Sequence, residues 1–147
     1  METKDLNKKI DYKSLKKKYW WASEKQLYVI ENGLECGFDV KIYAKSVFNS
    51  SQMNAILWGL EENLDVKIYA NPKFNFHQMC KIYDGLLNKK IDVKIYANPK
   101  FNEWQMCEIL EGLRKKVNVK LYAYPEIPDT IMKKIRLKLQ KTKSKGF

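Results

Sequence analysis

One hexapeptide recurs four times along the chain. Asp-Val-Lys-Ile-Tyr-Ala begins at Asp39, Asp65 and Asp92, and a related copy, Asn-Val-Lys-Leu-Tyr-Ala, begins at Asn118. The four starts lie 26, 27 and 26 residues apart. A fixed period of this length is typical of repeat proteins, in which each unit buries its apolar face against its neighbours. The chain is therefore expected to fold as an array of stacked units.

A second motif, Gln-Met-x-x-Ile-x-x-Gly-Leu, lies between the hexapeptides. It begins at Gln52, Gln78 and Gln105, with an earlier variant at Gln26 and a last copy in which Ile131 replaces the Gln. Its apolar spacing predicts one face of an α-helix. A Ser or Asn stands three residues before each Gln, which is the capping-box pattern of a helix start. These residues are Ser23, Asn49, Asn75 and Asn102. The phenylalanines before them, Phe48, Phe74 and Phe101, are expected in the core.

The glycine of this motif is unusual inside a helix, where it costs about 1 kcal/mol relative to Ala. It recurs as Gly33, Gly59, Gly85 and Gly112, and Lys138 takes its place in the last copy. Either a neighbouring helix approaches closely at this point or the helix ends there. The leucine that follows favours close packing.

The hexapeptide itself fits two structures. A strand would place Val, Ile and Ala on one face, and a short helix would be capped by the Asp or Asn. Prolines at 72, 99 and 125 would stop either element. The preferred fold is all-α, a short solenoid of stacked helical hairpins with one long and one short helix per repeat. The alternative is an α/β solenoid of strands and helices.

The net charge is +11, and the chain is predicted to have three segments. Residues 1–18 are predicted to be a basic N-terminal capping segment, residues 19–140 a single repeat domain, and residues 141–147 a disordered basic tail. Residues 19–132 hold fourteen basic and fourteen acidic residues, so the excess charge lies towards the two ends. A groove that binds a polyanion along the whole array would need basic residues in every unit.

Two sets of residues are candidates for binding. A partner protein, an acidic surface or a nucleoprotein is expected to contact the recurring lysines and tyrosines, with Trp104 as an anchor. These residues are Lys41, Lys67, Lys94, Lys120, Tyr43, Tyr69, Tyr96 and Tyr122. A polyanion such as nucleic acid would instead be bound by Lys133, Lys134, Arg136, Lys138 and Lys141.

Catalytic chemistry is not indicated. Paired carboxylates, a Ser/His/Asp set and a phosphate-binding loop are absent from the pattern, so no enzyme activity and no cofactor are predicted. His77 and Cys80 have helical metal-pair spacing, but with one histidine in the chain no metal site is expected. The chain has three cysteines, and this odd number argues against a disulfide framework. No stretch is apolar enough to span a membrane, and a cytoplasmic protein is expected. Sequestration of an anionic small ligand by an oligomer stays compatible with the sequence.

The repeat from Ser23 to Leu139 resembles a tandem repeat of uncharacterised proteins from Firmicutes and related anaerobes, often on mobile elements. The shared pattern is Asp-Val-Lys-Ile-Tyr-Ala-Asn-Pro-Lys-Phe-Asn-x-x-Gln-Met-x-x-Ile-x-x-Gly-Leu. The resemblance implies a bacterial or phage source and a helical fold. It also implies a role in anti-defence, because small basic proteins of such elements include anti-CRISPR inhibitors of host nucleic-acid enzymes. The predicted function is a non-enzymatic interaction module, and the alternative is direct binding of nucleic acid through the basic terminal segments.

Overall fold

A computed structural model describes residues 10–144, and all regular structure in this range is helical. The α-helices are α1 (Tyr12–Lys18), α2 (Glu24–Glu35), α3 (Ser50–Glu61), α4 (Phe76–Leu86), α5 (Glu103–Arg114) and α6 (Asp129–Ser144). Four 3₁₀ helices separate the later ones: η1 (Val40–Ile42), η2 (Val66–Ile68), η3 (Val93–Ile95) and η4 (Val119–Leu121). The all-α prediction is confirmed for these residues.

The long helices begin where the capping boxes predict. In α3 the Asn49 side chain accepts from the Gln52 backbone N–H at 2.8 Å, and the Gln52 side chain accepts from the Asn49 N–H at 2.9 Å. The same reciprocal pair starts α2, α4 and α5. Each box therefore satisfies two N–H groups that a helix start leaves without partners.

The hexapeptide forms a short 3₁₀ helix, so the strand alternative is wrong. The Asp39 and Asp92 side chains cap η1 and η3 by accepting from the backbone N–H groups of Lys41 and Lys94, each at 3.1 Å. Asp65 and Asn118 make no such bond, although η2 and η4 have the same length. Packing on the long helix therefore fixes the short helix even where the cap is missing.

Successive long helices pack side by side, each on the next along the chain. Their N-terminal ends are held together by the capping glutamines, whose amide groups donate to the backbone of the following unit. Gln52 Nε2 donates to the Phe74 carbonyl at 2.7 Å, and Gln78 Nε2 donates to the Phe101 carbonyl at 2.6 Å. Gln26 and Gln105 make equivalent bonds to Phe48 and Ile127. The sequence indicated the caps but not these bonds between units.

The core repeats with the sequence. The motif Met and Ile side chains and the predicted phenylalanines are buried. Three turns after the long helices contain a residue with positive φ, namely Gly37, Asn63 and Lys116. The repeat that begins at Asp65 is 27 residues long and has one more residue after α4 than the others. Its turn contains no residue with positive φ, and there the Asn88 side chain accepts from the Lys90 N–H at 3.0 Å. The extra residue thus lets the chain turn without a left-handed residue, and the order in which the units pack is unchanged.

Two shorter elements flank the repeats. Helix α1, within the segment predicted to cap the array, packs on α2 and buries Leu15. Residues 1–9 lie outside the described residues. Helix α6 continues to Ser144, so the predicted disorder is wrong for residues 141–144, where the backbone completes the helix. Residues 145–147 also lie outside the described range.

Candidate interaction surfaces

Four lysines occupy equivalent exposed positions, one on each 3₁₀ helix. We term Lys41, Lys67, Lys94 and Lys120 the lysine row. Each lysine lies between a buried Val and a half-buried Ile or exposed Leu, so its backbone is fixed while its side chain reaches solvent. None of them forms an ion pair within residues 10–144. The structure thus places the predicted lysines at matching positions with free ammonium groups.

The tyrosines predicted beside these lysines are buried and cannot contact a partner. Tyr43, Tyr69, Tyr96 and Tyr122 have no exposed surface. Each hydroxyl donates to a carbonyl of the preceding long helix; Tyr43 donates to Val29 at 2.8 Å and Tyr69 to Ala55 at 2.6 Å. Burial raises the pKa of all four phenols. This part of the site prediction is wrong because the tyrosines attach each short helix to its long helix.

The recurring glycine makes room for that tyrosine. A Cβ at Gly59 would overlap the Tyr69 hydroxyl and lie 2.4 Å from Val66 Cγ1 if nothing moved. Gly33, Gly85 and Gly112 face the equivalent tyrosine in their own units. Close packing is therefore the reason for the glycine, but the approaching group belongs to the 3₁₀ helix and not to a neighbouring long helix.

Charge is unevenly divided within the neutral central region. Helices α2–α5 carry three basic and eight acidic residues. The four connecting segments, residues 36–49, 62–75, 87–102 and 115–128, carry eleven basic and five acidic residues. The central region is thus neutral in sum but polarised, with positive charge on the segments that carry the lysine row. The sequence contains this division, which becomes visible only once the helix bounds are known.

Tryptophans supply the largest exposed apolar side chains. Trp104, the predicted anchor, is 63% exposed at the start of α5. Trp20 is more exposed still, and Trp58 is 39% exposed on α3. Exposed Trp residues are frequent anchors of protein interfaces. The exposure of Trp20 was not predicted.

Helix α6 exposes most of the predicted polyanion-binding residues. Lys133, Lys134, Lys138 and Lys141 are exposed. Arg136 is different, because its Nε donates to Glu108 Oε2 at 2.8 Å and its side chain is only 11% exposed. Its guanidinium also donates to Gln140. Arg136 therefore joins α6 to α5, and its assignment to polyanion binding needs correction.

His77 and Cys80, which have the spacing of a helical metal pair, have no third ligand among the described residues. Within residues 10–144 no group of three or more His, Cys, Asp or Glu side chains could hold a metal ion. His77 Nδ1 lies 3.8 Å from Glu103 Oε2, and burial raises the pKa of the Cys80 thiol. In the same range no helix is both long and apolar enough to cross a membrane.

Comparisons of the chain with protein families, curated proteins and solved structures found no match.

Proposed function

We propose that the protein is a non-enzymatic interaction module that binds an acidic surface of a partner protein through the lysine row. The proposal is supported by the exposure of four lysines at equivalent positions of 3₁₀ helices that buried tyrosines hold in place. None of the four forms an ion pair within residues 10–144. In this proposal the repeats form a short solenoid of stacked helical hairpins. The row then runs across successive units, which pack at about 8–10 Å from one another.

The lysine row alone would bind weakly. An exposed ion pair contributes about 0.2–1 kcal/mol, so four pairs contribute about 1–4 kcal/mol before the loss of translational freedom. A stable complex therefore needs a desolvated anchor as well. Trp104 is the proposed anchor, because its exposed indole lies two residues after the connecting segment that carries Lys94 of the lysine row.

The test compares two charge-reversal variants of the full chain. The first changes Lys41, Lys67, Lys94 and Lys120 to Glu, and the second changes Lys133, Lys134, Lys138 and Lys141 to Glu. Both variants change the net charge equally, so they control for each other. Capture from the native host, with and without nuclease treatment, identifies the partner. The proposal requires a nuclease-resistant protein partner that the first variant loses and the second retains.

Direct binding of nucleic acid is the second candidate, and the four exposed lysines of α6 favour it. In that case the second variant would lose binding and the first would retain it. Counterion release also predicts that affinity falls steeply as salt rises. Loss of binding in the α6 variant, together with nuclease-sensitive capture, would replace the protein partner with nucleic acid.

The proposed partner class is a host nucleic-acid enzyme that the protein inhibits. This step rests on the resemblance to repeats of mobile elements. It is tested by adding the purified protein to the captured enzyme and measuring its nuclease activity with and without the lysine-row substitutions.

A further inference from the structure

An aromatic cluster lies on the surface where α3 packs against α4. The Trp58 ring centroid is 5.9 Å from that of Phe76 and 6.4 Å from that of Tyr83, and both pairs are edge-to-face. Phe76 and Tyr83 are half-buried, whereas Trp58 is 39% exposed. The two rings of α4 thus orient Trp58 and leave part of its indole open to solvent. Trp104 is more exposed but has no such ring partner within residues 10–144.

Three carboxylates border this cluster. Burial raises the pKa of the Tyr83 phenol, and the nearby carboxylates Glu62, Asp84 and Glu61 raise it further. We term the three aromatic and three acidic residues the aromatic–acidic patch. None of the three carboxylates forms an ion pair in the described part of the chain.

The carboxylates of the next helix are in a different situation. Each glutamate of α5 lies within 4 Å of a basic group: Glu103 faces His77, Glu108 faces Arg136 and Glu111 faces Arg114. Two of the three α5 glutamates are therefore paired with an arginine, whereas no carboxylate around Trp58 is paired with a basic group within residues 10–144. The combination of an oriented indole and free carboxylates fits a cation that also has an apolar stem.

We infer that the aromatic–acidic patch binds an arginine- or lysine-bearing segment of a partner protein. The cation would lie against the Trp58 ring, where the ring quadrupole attracts it, and pair with Glu61, Glu62 or Asp84. Its aliphatic stem would pack on the exposed indole and on Tyr83. The patch is opposite in charge to the lysine row, so this inference stands apart from the proposed function and can fail or hold independently of it.

The test uses the isotope-labelled full chain and a synthetic amphipathic peptide that carries arginines and leucines. The control peptide has every arginine replaced by glutamate. We expect saturable amide shifts centred on α3 and α4 with the basic peptide and none with the acidic one. Trp58→Ala should weaken binding about tenfold or more, as loss of an aromatic anchor does. The double substitution Glu61→Gln and Asp84→Asn removes two negative charges and keeps the size of both side chains, and it should also weaken peptide binding.

Trp20→Ala is the matched control, because it removes a more exposed indole from outside the patch. Its affinity for the basic peptide should equal that of the parent. Shifts centred on α2 or α5, or equal affinity of the Trp58→Ala variant, would overturn the inference. Self-association of the chain that Trp58→Ala abolishes would also overturn it, since a second copy would then be the occupant.

Discussion

The substitution Gln52→Glu separates the two hydrogen-bonding roles of the capping glutamine. The side-chain oxygen accepts from the Asn49 N–H at 2.9 Å, and the side-chain nitrogen donates to the Phe74 carbonyl of the next unit at 2.7 Å. Glutamate has the same size and can still accept from Asn49. It has no donor for Phe74 while it is ionised. The substitution therefore keeps the cap and removes the bond between units.

The expected effect follows from two opposing contributions. A carboxylate in the first turn of a helix gains about 0.3–1 kcal/mol from the helix dipole. Leaving the buried Phe74 carbonyl without its donor costs about 1–3 kcal/mol, and the carboxylate now faces that carbonyl oxygen. The difference between this cost and the gain is about 0–2.7 kcal/mol, and repulsion between the carboxylate and the carbonyl oxygen adds to it. We therefore expect Gln52→Glu to lower the free energy of unfolding by about 1–3 kcal/mol at pH 7. A residue that only capped the helix would give no loss or a small gain.

Urea and thermal unfolding followed by circular dichroism measure this difference, at about 2–4 °C per kcal/mol. Ile131→Glu is the control, because Ile131 holds the same place in the last copy of the motif and is exposed. It should change stability by less than about 0.5 kcal/mol. The ionised carboxylate is disfavoured beside the Phe74 carbonyl, so the pKa of the new carboxyl should lie above its free value of about 4.3. The deficit of Gln52→Glu should therefore shrink as the pH falls towards about 4, where the protonated carboxyl can donate to Phe74. Equal or greater stability of Gln52→Glu at pH 7 would refute the role assigned to the bond between units.

Three further predictions concern the unit itself. Gly59→Ala should destabilise the protein by about 2–4 kcal/mol, because the new methyl group displaces the Tyr69 hydroxyl; adding Tyr69→Phe should recover part of this loss in a double-mutant cycle. Lys116→Gly should raise the midpoint of thermal unfolding by relieving a φ of 56°, at a net gain of about 0.5–1 kcal/mol, whereas Lys115→Gly, at a φ of −85°, should lower it. In an alkaline titration followed by phenolate absorbance, the four buried tyrosines should stay protonated above pH ~10, where free tyrosine ionises. Their raised pKa means that the stability they give is complete below pH ~10 and is lost as the pH rises through the folded-state value.

Much of the fold was predictable because its signals are local. The capping boxes at Asn49 and Asn102 lie within four residues of sequence, and the structure forms each of them. The tyrosines were misassigned because a polar hydroxyl beside an exposed lysine is typical of a surface. The sequence did contain a signal, because every complete unit has a glycine and a tyrosine equivalent to Gly59 and Tyr69, ten or eleven residues apart. A pairing this constant indicates contact.

The surfaces were less predictable because they depend on contacts between units. Arg136 is a basic residue among other basic residues, as expected for polyanion binding. Only its 2.8 Å contact with Glu108 shows that it joins two helices. The aromatic–acidic patch needs Trp58 and Tyr83, which are 25 residues apart, to face each other across α3 and α4. No spacing within a single unit contains that information.

The last copy of the motif differs from the others where the array has no following unit within the described residues. Gln52, Gln78 and Gln105 each donate to the backbone of the unit that follows. At the equivalent place in α6 stands Ile131, which has no donor, and Lys138 stands where the other helices have the glycine that admits a tyrosine. Within residues 10–144, a glutamine at this place would have no carbonyl of a following unit to bind, and a glycine would weaken the helix without a tyrosine to accommodate. In α6, therefore, both residue changes coincide with the absence of the two contacts among the described residues, and the bonds between units run in one direction along the chain.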